Sequence, residues 1–485
     1  MIFNSVTYLV FLALVVMLYW TAGEKVRLWL IFTASLIFYG FWRIEFIPVM
    51  LASVVIDYFA ALAVARTQNM KHRKMFVALS LFANLGLLGY FKYTIFILDS
   101  MNGLAPLFGV SEFSTELKII LPLGISFYTF QSMSYTLDVY RGFIRPERDF
   151  VLFATYVTFF PQLIAGPILR AKEVIGQLSH RPKFVPTHIA LGLRRILAGL
   201  FLKVVCADHL ASYVDTGFAA PVETLHALDV WTLAFLFGCQ IYFDFSAYSH
   251  IAIGSAQLMG IHFPENFNYP YLASSPREFW QRWHISLSSW IRDYLYLPLC
   301  RLNVEDRSTG GLPVVSEDSG TIVKTRALIF TWALMGLWHG ANWTFVMWGL
   351  WHAGLILGYR ALAHVNLNVP NGISRVSGWM VTLPLVMLGW IPFRAETVSD
   401  ALAMWAMVLN PAEYLELGLR ENAYVVATLL MLLLLVVPFI HSRILPIMER
   451  RPVLRLTAEA TAFSCIIGTL LIYLRPIKQF IYFQF

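Results

Sequence analysis

His339 stands in the segment Gly336-Leu337-Trp338-His339-Gly340, between the apolar runs 327–338 and 344–357. An ionisable side chain in such surroundings is costly and marks a functional site by default. A neutral imidazole costs less than a charge. Its unperturbed pKa is about 6.5, and desolvation favours the neutral, proton-accepting form, which suits an intramembrane base. A packed histidine whose ring nitrogens bond neighbouring helices fits the same residues equally well. Gly336 and Gly340 permit close approach of a second backbone or a ligand, and Trp338, Asn342 and Trp343 complete the surroundings. Trp348 and Trp351, taken singly, read as interface anchors.

A second cluster runs from Glu278 to Tyr294 (EFWQRWHISLSSWIRDY) and contains Trp283, His284 and Asp293. As one amphipathic helix it would bring Arg282, Ser286 and Ser289 near a common face. Arg277, Arg282, Arg292 and Arg301 offer fork-shaped contacts to the phosphates of a donor molecule. An interfacial helix held by lipid headgroups is the alternative. Asp244 in YFDFS and Asp138 in LDVYR are acids beside apolar runs. Each needs a partner, either a histidine to orient or an arginine to pair with. There is no GxSxG, Walker-type, HExxH or GxGxxG motif, so hydrolase, ATPase and metalloprotease readings lose their usual support. Cys206, Cys239, Cys300 and Cys465 show no paired spacing. They argue for neither a disulfide framework nor a zinc site, and no bound metal or cofactor is expected.

The elements that must position these residues are helices in lipid. Apolar residues make up 58% of 485 positions and charged ones 13%, with a mean hydropathy of +0.64; soluble domains average about a quarter charged. The apolar runs recur from end to end, so the chain reads as one membrane domain over 1–485, all-α and polytopic. A span needs about 20 apolar residues, and backbone polar groups in lipid must be satisfied within the segment. About twelve spans result: 2–20, 28–42, 46–65, 75–98, 119–140, 189–211, 230–253, 327–338, 344–357, 379–393, 423–440 and 456–474. The first lacks a basic flank and a cleavage site and reads as a retained helix. The net charge of +7 reads as basic loops that set orientation rather than as a nucleic-acid surface. The basic loops 66–74 and 441–455 fall in the cytoplasm, the acidic 99–117 and 212–229 outside, and 264–325 again on the cytoplasmic side.

Two places break the pattern, and non-helical backbone at membrane depth is tolerated only where protein or a water-filled cavity surrounds it. The run 151–168, flanked by basic loops on both sides, reads as re-entrant. The run 327–338 is too short to span upright and would dip into the membrane with His339 at its end. The polar insertion Arg301 to Gly320 reads as a flexible cytoplasmic loop.

With these residues in view, the chain resembles the membrane-bound O-acyltransferase family, in the branch that contains the membrane component of bacterial alginate O-acetylation. The segments that carry the resemblance are LPLGISFYTFQSMSYTLDVYRG from Leu121, FFPQLIAGPILR from Phe159, QIYFDFSAYSHIAIG from Gln240, PENFNYPYLASSPREFWQRWHISLSSWIRDYLYLPL from Pro264, GLWHGANWTFVMWGLWH from Gly336, and YFQF from Tyr482. The resemblance implies re-entrant and interfacial helices around a central funnel or tunnel, an essential histidine at His339, and a second family histidine at His284 on the cytoplasmic side. It further implies acetyl-CoA as the cytoplasmic co-substrate, a multi-pass place in the bacterial inner membrane among its lipids, and a periplasmic acetyltransferase partner that finishes transfer to a polysaccharide. Ala247 and His250 stand where such proteins often have a glycine and an acid, and LYLPLCRL from Leu295 departs from an LYIPLGGN-like text. These departures leave the acceptor open between alginate, another exopolysaccharide and another envelope polymer.

The expected mechanism brings acetyl-CoA against Arg277, Arg282, Arg292 and Trp283, with His284 gating or positioning it. His339 acts as general base or nucleophile, and Asp244, Asn342 and Asp293 support the site, Asn342 or backbone amides as oxyanion donors. Two rivals stand beside this: D-alanyl transfer to teichoic acid from a carrier-protein thioester, and a lipid or polysaccharide transporter that uses the histidine as a proton relay.

Overall fold

The computed structural model describes residues 1–109, 111, 113, 117–164, 166–180, 182–302, 320–363 and 371–473. Residues 303–319 of the polar insertion and the terminal YFQF segment lie outside the described residues. Among the described residues all regular elements are helical. Six stretches are long and apolar enough to cross a membrane: Ile44–Arg66, Met70–Phe108, Ala227–Leu258, Ser374–Arg394, Glu421–Met448 and Pro452–Ile472. Val6–Thr21, Val26–Gly40 and Val398–Leu409 are apolar but shorter. The chain is an all-helical, multi-pass membrane protein whose described residues fall into two compact units.

The first unit comprises Met1–Ile196 and Tyr248–Glu265. It holds α1 (Val6–Thr21), α2 (Glu24–Gly40), α3 (Ile47–Arg66), α4 (Met70–Leu88), α5 (Thr94–Phe108), α6 (Ile125–Arg141), α7 (Phe150–Thr158), α8 (Ala171–Ser179) and most of α9 (Pro186–Phe201). A buried polar knot ties three of these together. Asp57 of α3 accepts hydrogen bonds from Ser80 Oγ and Asn84 Nδ2 (2.8 Å) of α4 and from Thr136 Oγ1 of α6 (3.2 Å), while Ser53 Oγ donates to Asn84 Oδ1 (2.5 Å). Between membrane helices such bonds replace the hydrophobic drive that lipid removes. The span expected from 119 is helical only from Ile125. Gly124 adopts a left-handed φ of 70°, and a Cβ there would strike the Leu163 carbonyl. The run 151–168 does not form a span: α7 has nine residues, the chain breaks at Phe159, and Phe160–Leu163 makes one further turn. Nine residues rise only about 14 Å, so the backbone closes its hydrogen bonds inside packed protein.

The second unit comprises Leu197–Ala247, Asn266–Leu302 and the described residues from 320 onward. It holds α10 (Asp208–Phe218), α11 (Ala227–Leu258, as far as Ala247), α12 (Pro276–Arg282), α13 (Ile285–Ile291), α14 (Thr321–His339), α15 (Trp343–Ala363), α16 (Asn371–Arg394), α17 (Val398–Leu409), α18 (Glu421–Phe439) and α19 (Pro452–Ile472). Two expectations are corrected here. The helix ending at His339 begins at Thr321 and has 19 residues, because Lys324 and Arg326 are good helix formers and extend it past the apolar run. The amphipathic stretch 278–294 is not one helix: it stops at Arg282 and restarts at Ile285, with His284 left-handed at φ 41°. Arg282 therefore shares no helix with Ser286 and Ser289. α14 and α15 cross with their backbones in contact, since a Cβ at Gly336 would collide with the Phe345 carbonyl and one at Gly349 with the Trp332 carbonyl.

Candidate active site

α14 ends on His339 for local reasons. Gly340 takes an extended conformation in a space where a Cβ would run into the Phe345 ring. Asn342 Oδ1 then accepts from the Thr344 backbone N–H (3.1 Å) and caps α15. The His339 side chain is buried, with ring centroids 4.9 Å from Trp338, 4.9 Å from Trp348 and 5.4 Å from Phe393. His284 is also buried, and its ring lies 6.4 Å from Trp338, 4.6 Å from Phe245 and 6.4 Å from Phe267. One indole, Trp338, is thus common to the surroundings of both histidines.

Burial pushes the His284 imidazole down to about 3, so it is neutral at any physiological pH. Its Nδ1 faces Asn266 Oδ1 at 3.1 Å, and among the described residues its Nε2 meets no hydrogen-bonding group. The left-handed backbone at a β-substituted residue costs free energy and is held by main-chain bonds from Ile285 N–H to Asn266 O and from Asn268 N–H to Arg282 O, both 2.9 Å. Two buried imidazoles among aromatic rings can accept protons or attack an acyl carbon in their neutral form.

The other sequence-derived candidates divide. Arg277 is exposed on α12. Arg282 is engaged locally: Nε and Nη2 donate to Glu278 Oε1 (3.0 and 2.7 Å) and Nη1 to Asn268 O (3.2 Å). Against the opposing effect of burial, the Ser274 backbone N–H and hydroxyl, and after them the Arg282 guanidinium, hold the Glu278 carboxyl below the usual range. Arg292 Nε donates to buried Asp293 Oδ1 at 2.7 Å. Trp283 is a core residue, stacked on Phe279 and 4.9 Å from Trp390. Asp244 pairs with a lysine: Lys203 Nζ lies 2.8 Å from its Oδ1 and 2.9 Å from Asp208 Oδ1, in a bulged π-turn over Leu202–Ala207. Asn342, exposed, is occupied as the cap of α15.

Sequence reasoning passed over Asn266, Lys203 and His352. His352 is fully buried and its Nδ1 accepts from Trp280 Nε1 at 3.3 Å. The spacing of four between Trp348 and His352 puts both on one face of α15, which was the available signal. Asn266 carried none, since its partners lie 18 and 20 residues away.

The chain is similar to known proteins across this region. The family model described as the membrane-bound O-acyltransferase family matches residues 144–365, which include α12 to α15 and both histidines. The chain is 41% identical over 416 residues to a probable alginate O-acetylase of Azotobacter vinelandii, covering 84% of this chain and 78% of that protein. It is 40% identical over 413 residues to the corresponding Pseudomonas aeruginosa protein, covering 84% and 75%. It is 35% identical over 402 residues to a peptidoglycan O-acetyltransferase of Helicobacter pylori, covering 78% and 72%. The chain belongs to the membrane-bound O-acyltransferase family. It is an acyltransferase that works embedded in the membrane.

Proposed function

We propose that this protein takes acetyl groups from acetyl-CoA at the cytoplasmic face of the bacterial inner membrane and passes them toward an extracytoplasmic polysaccharide, through a periplasmic acetyltransferase partner. The supporting observation is the pair of buried histidines, His339 and His284, that share Trp338 as a neighbour. In this reading about twelve spans surround a central funnel, and the whole chain 1–485 acts as one membrane domain. Exposed Arg277 meets the donor's phosphates, and the free edge of His284 receives the donor. His339 acts as base toward the accepting group or as nucleophile. Arg282, Arg292 with Asp293, Trp283 and the Lys203–Asp244 pair hold the walls in place, and Asn342 sets the turn after His339.

The test is transfer from labelled acetyl-CoA in reconstituted membranes, with the extracytoplasmic partner present, comparing the unmutated chain with His339→Ala at equal folded amount. A loss of about 10²–10⁴-fold in the variant supports the reading. Equal rates remove His339 from the chemistry. Turnover only with a carrier-protein thioester would instead support D-alanyl transfer, and substrate movement without acyl turnover, surviving in His339→Ala, would support a transporter.

A further inference from the structure

The hydrogen bonds around Asn266 determine which nitrogen of His284 carries the proton. Asn266 is buried, and its Oδ1 accepts from the Ser286 backbone N–H (3.3 Å) and the Ser286 hydroxyl (2.8 Å) while facing His284 Nδ1 (3.1 Å). A main-chain amide can only donate, so the Asn266 atom in front of it is the carbonyl oxygen and not the amide nitrogen. His284 Nδ1 shares that oxygen and must itself be the donor. Ser286 agrees: its hydroxyl proton is directed to Asn266, leaving it only to accept from Nδ1, 3.5 Å away. In a neutral imidazole the second nitrogen is then a bare acceptor. That atom, Nε2, is buried in a surround of Phe245, Phe267 and Trp338 and has no partner among the described residues. A buried acceptor left unbonded costs about 1–3 kcal/mol, a cost that a bound molecule with a donor group removes.

His352 shows the opposite arrangement in the same unit. Its Nδ1 takes a hydrogen bond from Trp280 Nε1, an indole nitrogen that can only donate, so Nδ1 is bare and Nε2 carries the hydrogen. Two buried histidines are thus set in opposite tautomers by partners whose roles are unambiguous.

We infer that Asn266 is a positioning residue of this enzyme: it fixes His284 as the Nδ1–H tautomer, so that Nε2 accepts a hydrogen bond from an N–H or O–H of the bound acyl donor. The inference rests on the acyltransferase reading for its ligand, but the tautomer does not depend on which donor is used.

The full-length protein in nanodiscs, with ¹⁵N-labelled histidine and His284 assigned by its disappearance in His284→Gln, reads the tautomer directly. Protonated Nδ1 with bare Nε2 is expected in the unmutated chain and in Asn266→Asp, and loss of that signature is expected in Asn266→Leu. In the transfer assay Asn266→Leu should lower kcat/KM about 10- to 100-fold, chiefly through a higher KM for acetyl-CoA, because the lost contact is one made to the bound donor. Asn266→Asp should retain turnover and move the acid limb of the pH profile upward, because a carboxylate stabilises the imidazolium. If Asn266→Leu fails to fold, the Asn266→Asp profile and the unmutated spectrum still decide. A protonated Nε2 in the unmutated chain, or an Asn266→Asp profile that overlays it, overturns the inference. The expected tautomer in a chain inert toward acetyl-CoA would instead sink the donor assignment alone.

Discussion

The His339 and Trp348 rings meet in a T-shape at 80°, with 4.9 Å between centroids, and the same indole lies 5.0 Å from His352 one turn further along α15. His339 is therefore packed against a side chain of the following helix. Trp348 is fully buried, and its removal leaves a large hole beside the imidazole. Trp348→Ala should destabilise the protein by about 3–5 kcal/mol and reduce transfer more than the folded fraction alone explains. Trp348→Phe should recover most of both. Thermal unfolding in detergent, paired with transfer per folded molecule, separates the two effects.

The crossing of α14 and α15 leaves no room for a methyl group at Gly336 or Gly349. Either Gly→Ala change should push the helices apart at a cost of about 1–3 kcal/mol and displace His339, whereas Gly354→Ala, with open space around it, should be neutral. Melting temperatures of the three variants test this ordering.

Lys203 stands between two acids, with Asp244 almost completely buried. Lys203→Met should destabilise by about 3–5 kcal/mol, because it leaves a buried carboxylate without its counter-charge. Lys203→Met combined with Asp244→Asn should be less damaging than the lysine change alone. A double-mutant cycle in folded yield and melting temperature checks the coupling.

His226 precedes α11 and bridges Glu413 (2.9 Å from Nδ1) and Glu416 (3.5 Å from Nε2). The Glu413 hydrogen bond is the main cause that raises its pKa, with the nearby carboxylates adding to it. The folded value lies above the unfolded value of about 6.5. Its stabilising contribution is therefore fully present below about 6.5 and is lost as pH rises through the folded value. The melting temperature of the unmutated chain should fall across that interval relative to His226→Gln, whose profile should be flatter there.

Much of the architecture was legible because lipid allows so little choice: long apolar runs become helices, and a histidine flanked by Gly336 and Gly340 marks the end of one. The break at His284 was not legible. The stretch Glu278–Tyr294 has the periodicity of a continuous helix, and what interrupts it is a set of hydrogen bonds to Asn266 and Asn268, residues that local pattern cannot connect to it. The same holds for Asp244, whose partner Lys203 lies 41 positions earlier (244 − 203) on a different element. Arg282 looked like a phosphate ligand by residue type, and only the geometry shows its guanidinium turned to Glu278 and the Asn268 carbonyl.

The bulged turn at Leu202–Ala207 has a consequence at the level of the gene. Such a turn contains one residue more than a straight α-helical path, so losing a single codon there would leave a smooth, well-formed helix and offend no local preference. Because the straight path joins the same two ends, the flanking helix keeps its phase, and a residue lost between Lys203 and Asp208 brings them from five positions apart to four, the spacing of neighbours on an α-helix. In this segment the shortest in-frame deletion is therefore milder than the same deletion in a regular helix, where everything beyond it would rotate by about 100°.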